Sequence, residues 1–239
     1  MSKVVVHIGP MGSGKSSALV NDYNEKYYDY QKVAFTSDIN SRDGSFIKSR
    51  TQNPIKAVPI NESDFIGLVT GGKSKIRDSI SYQTRNVFFD ELNFYFSEPN
   101  EEKGLTNENL PIVKKLVMDS LVTFALENDI NLHFSGLSKT AEREPYGLMA
   151  TAIHYGSITV HSAQCTDCGR DAGETLYIPI EKETNVPGAD DYCAVCLPCH
   201  IKWVKMYDKY KKDDSLDSYY SEAKKLLRWS GTKTKMVTK

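Results

Sequence analysis

One short run of this sequence is spaced for phosphate chemistry. Gly9-Pro10-Met11-Gly12-Ser13-Gly14-Lys15-Ser16 sets three glycines ahead of a lysine and a hydroxyl. Glycines let the backbone curl so that successive N–H groups point inward at phosphate oxygens. A helix beginning at Lys15 would add its positive dipole end to the same anion. Lys15 would reach the outer phosphates, and the Ser16 hydroxyl could bind Mg²⁺. The apolar run Val4–Ile8 precedes the loop, and a segment that can be helical, 16–24, follows it. That strand–loop–helix context separates a nucleotide loop from a chance glycine-rich turn.

A second chemical pair lies roughly 75 residues downstream. Val87-Phe88-Phe89 reads as a buried strand and ends in Asp90-Glu91. In a fold built around a phosphate loop, an aspartate at such a strand end holds Mg²⁺. The neighbouring glutamate can act as general base on an attacking hydroxyl. Alone, the pair would read as surface acid; beside the phosphate loop it reads as machinery.

All five cysteines fall between Cys165 and Cys199. Cys165-x-x-Cys168 and Cys196-x-x-Cys199 can each present two thiolates to one tetrahedral ion, the pattern of a structural zinc site. Cys193-x-x-Cys196 is also possible, and His200 could replace Cys199, so spacing alone does not choose the ligands. Clustered cysteines without an export signal favour metal binding in a reducing compartment, and the expected location is cytoplasmic.

The elements that must position these groups alternate. Val4–Ile8, Lys32–Thr36, Val87–Phe89, Asn131–Ser135 and Ser157–His161 read as strands. Leu110, Val113, Val117, Leu121 and Phe124 recur at helical spacing. Residues 40–52, with Arg42, Lys48 and Arg50, read as a polar loop, and 97–109 as an exposed one. Alternating strands and helices predict an α/β fold with a parallel sheet. The composition shift near Ser162 divides the chain into a P-loop ATP-binding domain (1–161), a small zinc-binding module (162–200) and a basic C-terminal extension (201–239). Residues 201–227 are helical in pattern, and 230–239 are expected to fray.

The extension carries ten lysines and one arginine against five acids, interleaved with Trp203, Tyr207, Tyr210, Tyr219, Tyr220 and Trp229. Such a mixture can track a single nucleic-acid strand; an amphipathic helix packed on the body is the plainer reading. The whole chain carries a net charge of -1, so no overall field draws it to nucleic acid or to an anionic membrane. No apolar run approaches the ~18 residues of a membrane helix.

Taken together these residues resemble the zinc-containing thymidine kinases of bacteria, animals and large DNA phages. Gly9-Pro10-Met11 with Ser13-Gly14-Lys15 is similar to that family's phosphate loop, and Asp90-Glu91-Leu92-Asn93-Phe94 resembles its Asp-Glu-x-Gln-Phe motif. Gly136-Leu137 through Pro145-Tyr146-Gly147 has the length and ends of a third family segment. Ala163-x-Cys165-x-x-Cys168-Gly169 with Ala172-x-x-Thr175, and Gly188-x-x-x-Tyr192-x-x-x-Cys196-x-x-Cys199-His200, resemble its zinc and lasso segments.

The resemblance implies transfer of a phosphoryl group from ATP to the 5′-hydroxyl of thymidine or another deoxynucleoside, a salvage reaction. It implies Glu91 as catalytic base. It implies Met11, Phe94, Leu137, Tyr146, Val186, Gly188 and Tyr192 on the nucleoside. It favours Cys165, Cys168, Cys196 and Cys199 as structural zinc ligands, with His200 kept as the alternative fourth. It further implies Mg²⁺ with the ATP, a cytoplasmic homotetramer (in the host cytoplasm if phage-encoded), and no nucleic-acid partner. The chain departs from the family pattern at Asn93 for glutamine, Ser138 for aspartate, Ala141 for a pocket phenylalanine, Tyr177 for an arginine and Leu197 for another arginine.

Overall fold

The computed structural model describes residues 2–26, 28–39, 44–49, 52–178 and 191–236. Arg42, Arg50, Val186 and Gly188 lie outside the described residues. The chain folds as two compact units. The first comprises 1–8, 14–139 and 145–160; the second comprises 9–13, 140–144 and 161–239.

In the first unit, β1 (Val4–Ile8) leads through the glycine loop into α1 (Lys15–Lys26). Next come β2 (Lys32–Ser37), the two-residue pair β3 (Phe46–Ile47) and β4 (Ile55–Lys56), and β5 (Val58–Ile60). The polar loop expected over 40–52 therefore contains a strand, β3, which pairs antiparallel with β4. After them follow α2 (Glu62–Thr70), α3 (Lys75–Ser79), β6 (Asn86–Phe89), α4 (Leu110–Glu127), β7 (Asn131–Gly136), α5 (Met149–Ala152) and β8 (Ser157–Val160). Six strands form one sheet in the order β5-β2-β6-β7-β1-β8. Every pairing in it is parallel. The expected α/β architecture with a parallel sheet is what the chain adopts.

The central strands are buried on both faces, which is why β6 reads as the uninterrupted apolar run Val87-Phe88-Phe89. Phe35, Phe65, Phe89 and Phe134 pack together there, with ring centroids 5.0–5.9 Å apart. Helix α4 buries Leu110, Val117 and Leu121 of the stripe read from the sequence. Helix α2 starts at a reciprocal capping box, Asn61 with Asp64, and stops at Gly71 in the left-handed region (φ 78°). Pro59 is accommodated because β5 is an edge strand. Asp22 of α1 lies 3.2 Å from His7 of β1 and 3.5 Å from His133 of β7, tying the helix to both strands.

In the second unit, β9 (Ala163–Gln164) pairs with β10 (Asp171–Ala172) around the first cysteine turn, and β11 (Glu174–Tyr177) pairs with β12 (Tyr192–Val195) ahead of the second. The terminal segment is two helices, α6 (Leu197–Lys212) and α7 (Leu216–Met236), where the sequence suggested one helical stretch. The break falls at Asp213-Asp214-Ser215, poor helix formers, with Asp214 left-handed (φ 51°). The backbone of α7 stays helical through Met236, past the point where fraying was expected.

These helices are not free. Trp203, Tyr219, Ala223 and Leu226 share one core with Cys165, Leu176, Cys193 and Val195. Tyr219 is 1% exposed and meets the rings of Trp203, Tyr207, Tyr210 and Tyr220 within 5.3–6.3 Å. Five of the six aromatics read from the sequence as candidate stacking faces thus pack together around Tyr219. Among the described residues, no helix is long and apolar enough to cross a membrane.

Candidate active site

The glycine loop uses its glycines as backbone physics requires. Gly12 (φ 72°) and Gly14 (φ 89°) occupy left-handed conformations that a side chain would strain. At Gly9 a β-carbon would lie 2.3 Å from the His161 carbonyl oxygen. Within the turn, the Ser13 N–H donates to the Pro10 carbonyl. The Met11 N–H donates to Thr175 Oγ1 at 3.2 Å.

Lys15 and Ser16 open α1, and Asp90 stands at the end of β6. The first unit brings all three together. Ser16 Oγ donates to Asp90 Oδ1 at 3.2 Å, and Ser135 Oγ, from the end of β7, donates to the same oxygen. Lys15 is 8% exposed and Asp90 5%. Burial pushes the Lys15 ammonium below its ordinary pKa, against the opposing charges of Glu91 and Asp90. Burial also pushes the Asp90 carboxyl up, against the Ser135 hydrogen bond, Lys15, Ser16 and the Glu91 backbone. Both charges are thus held at a cost in a dry place, where an incoming polyphosphate and a cation would relieve them. The oxygens of Ser16 and Asp90 fit a divalent ion of the hard, oxygen-seeking kind.

Glu91 follows at once, in a left-handed backbone conformation (φ 54°, ψ 40°) that few residues with side chains adopt. Such strain persists where surrounding structure enforces it, commonly at sites of function. The segment that follows Glu91 is anchored at Asn93, which is fully buried. Its Oδ1 accepts the Leu137 N–H at 2.9 Å. The Leu148 N–H donates to the Tyr95 carbonyl, and the Tyr146 N–H to that of Ser138. Phe94 meets Tyr146 edge-on, with centroids 6.2 Å apart. The first unit therefore gathers Phe94, Leu137 and Tyr146 beside Glu91. The sequence quoted Asn93 only as a departure and did not find Ser135; a serine ending a strand carries no signal until the strands are laid side by side.

Gly147 seals this cluster. It is left-handed (φ 51°), and a β-carbon there would lie 2.0 Å from the Asn93 carbonyl oxygen. Gly147→Ala is expected to destabilise the protein by at least about 1–2 kcal/mol, the left-handed penalty alone. Denaturant titration checks it, and wild-type stability would refute the packing argument.

The second unit gathers four sulfurs. The Sγ atoms of Cys165, Cys168, Cys196 and Cys199 all lie within 4.8 Å of one another, and Cys168 and Cys196 are 3.6 Å apart. A tetrahedral zinc with bonds of about 2.3 Å requires sulfurs roughly 3.8 Å apart, so the set fits that ion. Arg170 Nε donates to Cys168 Sγ at 3.4 Å and holds that thiol down to about 6, ready as thiolate. Burial, then the neighbouring sulfurs of Cys196 and Cys168, push the Cys199 thiol up. Four thiolates cannot crowd together without a cation. Cys193 is outside the set, and burial pushes its thiol up to about 12. His200 Nε2 lies 2.8 Å from the Ala141 carbonyl oxygen instead of among the sulfurs. The cysteine turn is braced by α6, whose Lys202 and Trp203 donate to Asp167 at 3.1 and 3.0 Å. Tyr192 packs on Tyr177 across the β11–β12 pair, centroids 5.0 Å apart.

A sequence model of the thymidine kinase family matches residues 2–118, the span carrying the glycine loop and the Asp90-Glu91 strand. Over that span the chain is similar to the thymidine kinase family. A thymidine kinase of Ureaplasma urealyticum is 25% identical over 202 residues, 80% of this chain and 79% of that protein. One of Pseudothermotoga lettingae is 24% identical over 206 residues, 84% of this chain and 95% of its own length. The cytosolic thymidine kinase of Bos taurus is 23% identical over 207 residues, covering 84% and 72%. The protein is accordingly a kinase, and its four clustered cysteines can hold a zinc ion.

Proposed function

We propose that this kinase transfers the γ-phosphoryl group of ATP to the 5′-hydroxyl of thymidine, giving thymidine monophosphate for nucleotide salvage. The observation that carries the reading is the convergence of Lys15, Ser16 and Ser135 on Asp90, with strained Glu91 directly after it. The N–H groups of Gly9, Pro-flanked Met11, Gly12, Ser13 and Gly14 cradle the phosphates, and Lys15 offsets charge on the group in transfer. A bound Mg²⁺, held by Ser16 and Asp90, would supply further charge neutralisation. Glu91 takes the proton from the acceptor hydroxyl. Met11, Phe94, Leu137, Tyr146, Val186, Gly188 and Tyr192 contact the nucleoside. Cys165, Cys168, Cys196 and Cys199 hold a structural zinc. Assembly as a homotetramer in the cytoplasm belongs to the same reading.

The test is direct. Zinc-replete protein is mixed with labelled ATP, Mg²⁺ and each deoxynucleoside in turn. Thymidine monophosphate as the main product is expected. Product from another deoxynucleoside would keep the chemistry and move the specificity, with Ala141 the first position to examine. ATP consumed with no nucleoside product would remove the reading.

A further inference from the structure

Residues 140–144 form a tight turn within the second unit. Its own bonds are local: Thr140 N–H to the Glu144 carbonyl at 2.8 Å, and Arg143 N–H to the Thr140 carbonyl at 3.1 Å. Arg143 sits left-handed (φ 73°) without being glycine. A turn of this kind needs outside support.

Two side chains of the cysteine module supply it. His200 Nε2 lies 2.8 Å from the Ala141 carbonyl oxygen, and Arg143 Nε lies 3.7 Å from Glu174 Oε2. A carbonyl only accepts, so Nε2 carries the hydrogen. His200 is 4% exposed and Glu174 6%, whereas the Arg143 side chain is 46% exposed, so the His200 contact is the better sheltered of the two. Their places in the chain are specific. His200 follows Cys199 directly, and its N–H donates to the Cys196 carbonyl at 2.9 Å. Glu174 is paired across the strands with Val195, the residue before Cys196. The two supports thus bracket the second cysteine pair from both sides.

We propose that His200 is a positioning residue, and that metal in the four-cysteine site sets the order of the 140–144 turn through His200 and Glu174. The turn lies between Leu137 and Tyr146 in sequence and carries Ala141. Resting on the kinase reading given above, the consequence is that zinc tunes acceptor affinity, not phosphate chemistry. Thymidine KM would respond to loss of the support, whereas kcat and the KM for ATP would hold.

The experiment is amide hydrogen exchange of the peptide spanning 139–147, with zinc content measured on each sample. It compares wild type, wild type stripped of zinc, His200→Phe and His200→Gln. Glutamine can still donate to a carbonyl; phenylalanine keeps bulk without a donor. Exchange is expected to quicken about 3–10-fold in the stripped protein and in His200→Phe, the factor one hydrogen bond is worth. His200→Gln should restore protection, and the raised thymidine KM should appear in the stripped protein and in His200→Phe but not in His200→Gln. Equal exchange in wild type and a zinc-replete His200→Phe overturns the proposal. If His200→Phe loses its zinc, Glu174→Gln carries the test: faster exchange at full zinc supports it, and unchanged exchange overturns it. A wild type that phosphorylates no nucleoside yet shows the exchange pattern sustains the support and removes the kinase reading alone.

Discussion

Glu91→Gln is expected to lower turnover by about 10²–10⁴-fold, the range a positioned general base supplies, with ATP binding retained. The carboxamide matches the carboxylate in size and can take the same backbone, but it cannot accept the hydroxyl proton. Glu91→Gly separates chemistry from structure. The left-handed conformation at φ 54° costs a residue with a β-carbon roughly 1–2 kcal/mol. Glycine escapes that cost and loses about 0.5–1 kcal/mol in chain entropy. On these backbone terms the glycine variant should be as stable as wild type, or more stable by up to ~1.5 kcal/mol, while inactive. Nucleoside phosphorylation measured beside a denaturant melt decides the matter. Full turnover in Glu91→Gln would end its assignment as the base.

The second large effect concerns the cysteines. Cys196→Ser, or stripping the metal with a chelator, is expected to abolish zinc binding and loosen the second unit. Structural zinc in small modules supplies apparent binding energy of about 10–16 kcal/mol. Here a packed core of Trp203, Tyr219, Val195 and Leu226 surrounds the cysteines, so partial structure should persist instead of full unfolding. Trp203 reports the change, because its indole N–H donates to Asp167 inside the first cysteine turn. Its fluorescence should shift to longer wavelength on metal loss. Cys193→Ser serves as control and should keep its zinc, since Cys193 lies outside the four-sulfur set. Unchanged emission and melting in Cys196→Ser would show the cluster to be unimportant for the fold.

The sequence alone determined the groups whose spacing is local. The glycine loop, the Asp90-Glu91 strand end and the two Cys-x-x-Cys turns are each set by a few consecutive residues, and periodicity placed five of the six sheet strands and α4. Proline hid the remaining strand, β5, where Pro59 interrupts the apolar run. The capped helix α2 escaped because its polar residues serve its ends. The tertiary structure decided what depends on strand order and register. It put Ser135 against Asp90 because β7 neighbours β6. It made Asn93 the brace of Leu137, a contact 44 residues apart in the chain. It placed Cys199 with the other three sulfurs and turned His200 to Ala141. It also folded the basic tail inward by its aromatic rings, which a count of charges along the chain could not reveal. Spacing along a chain fixes only what a single turn or helix can bring together; the rest waits on which strands become neighbours.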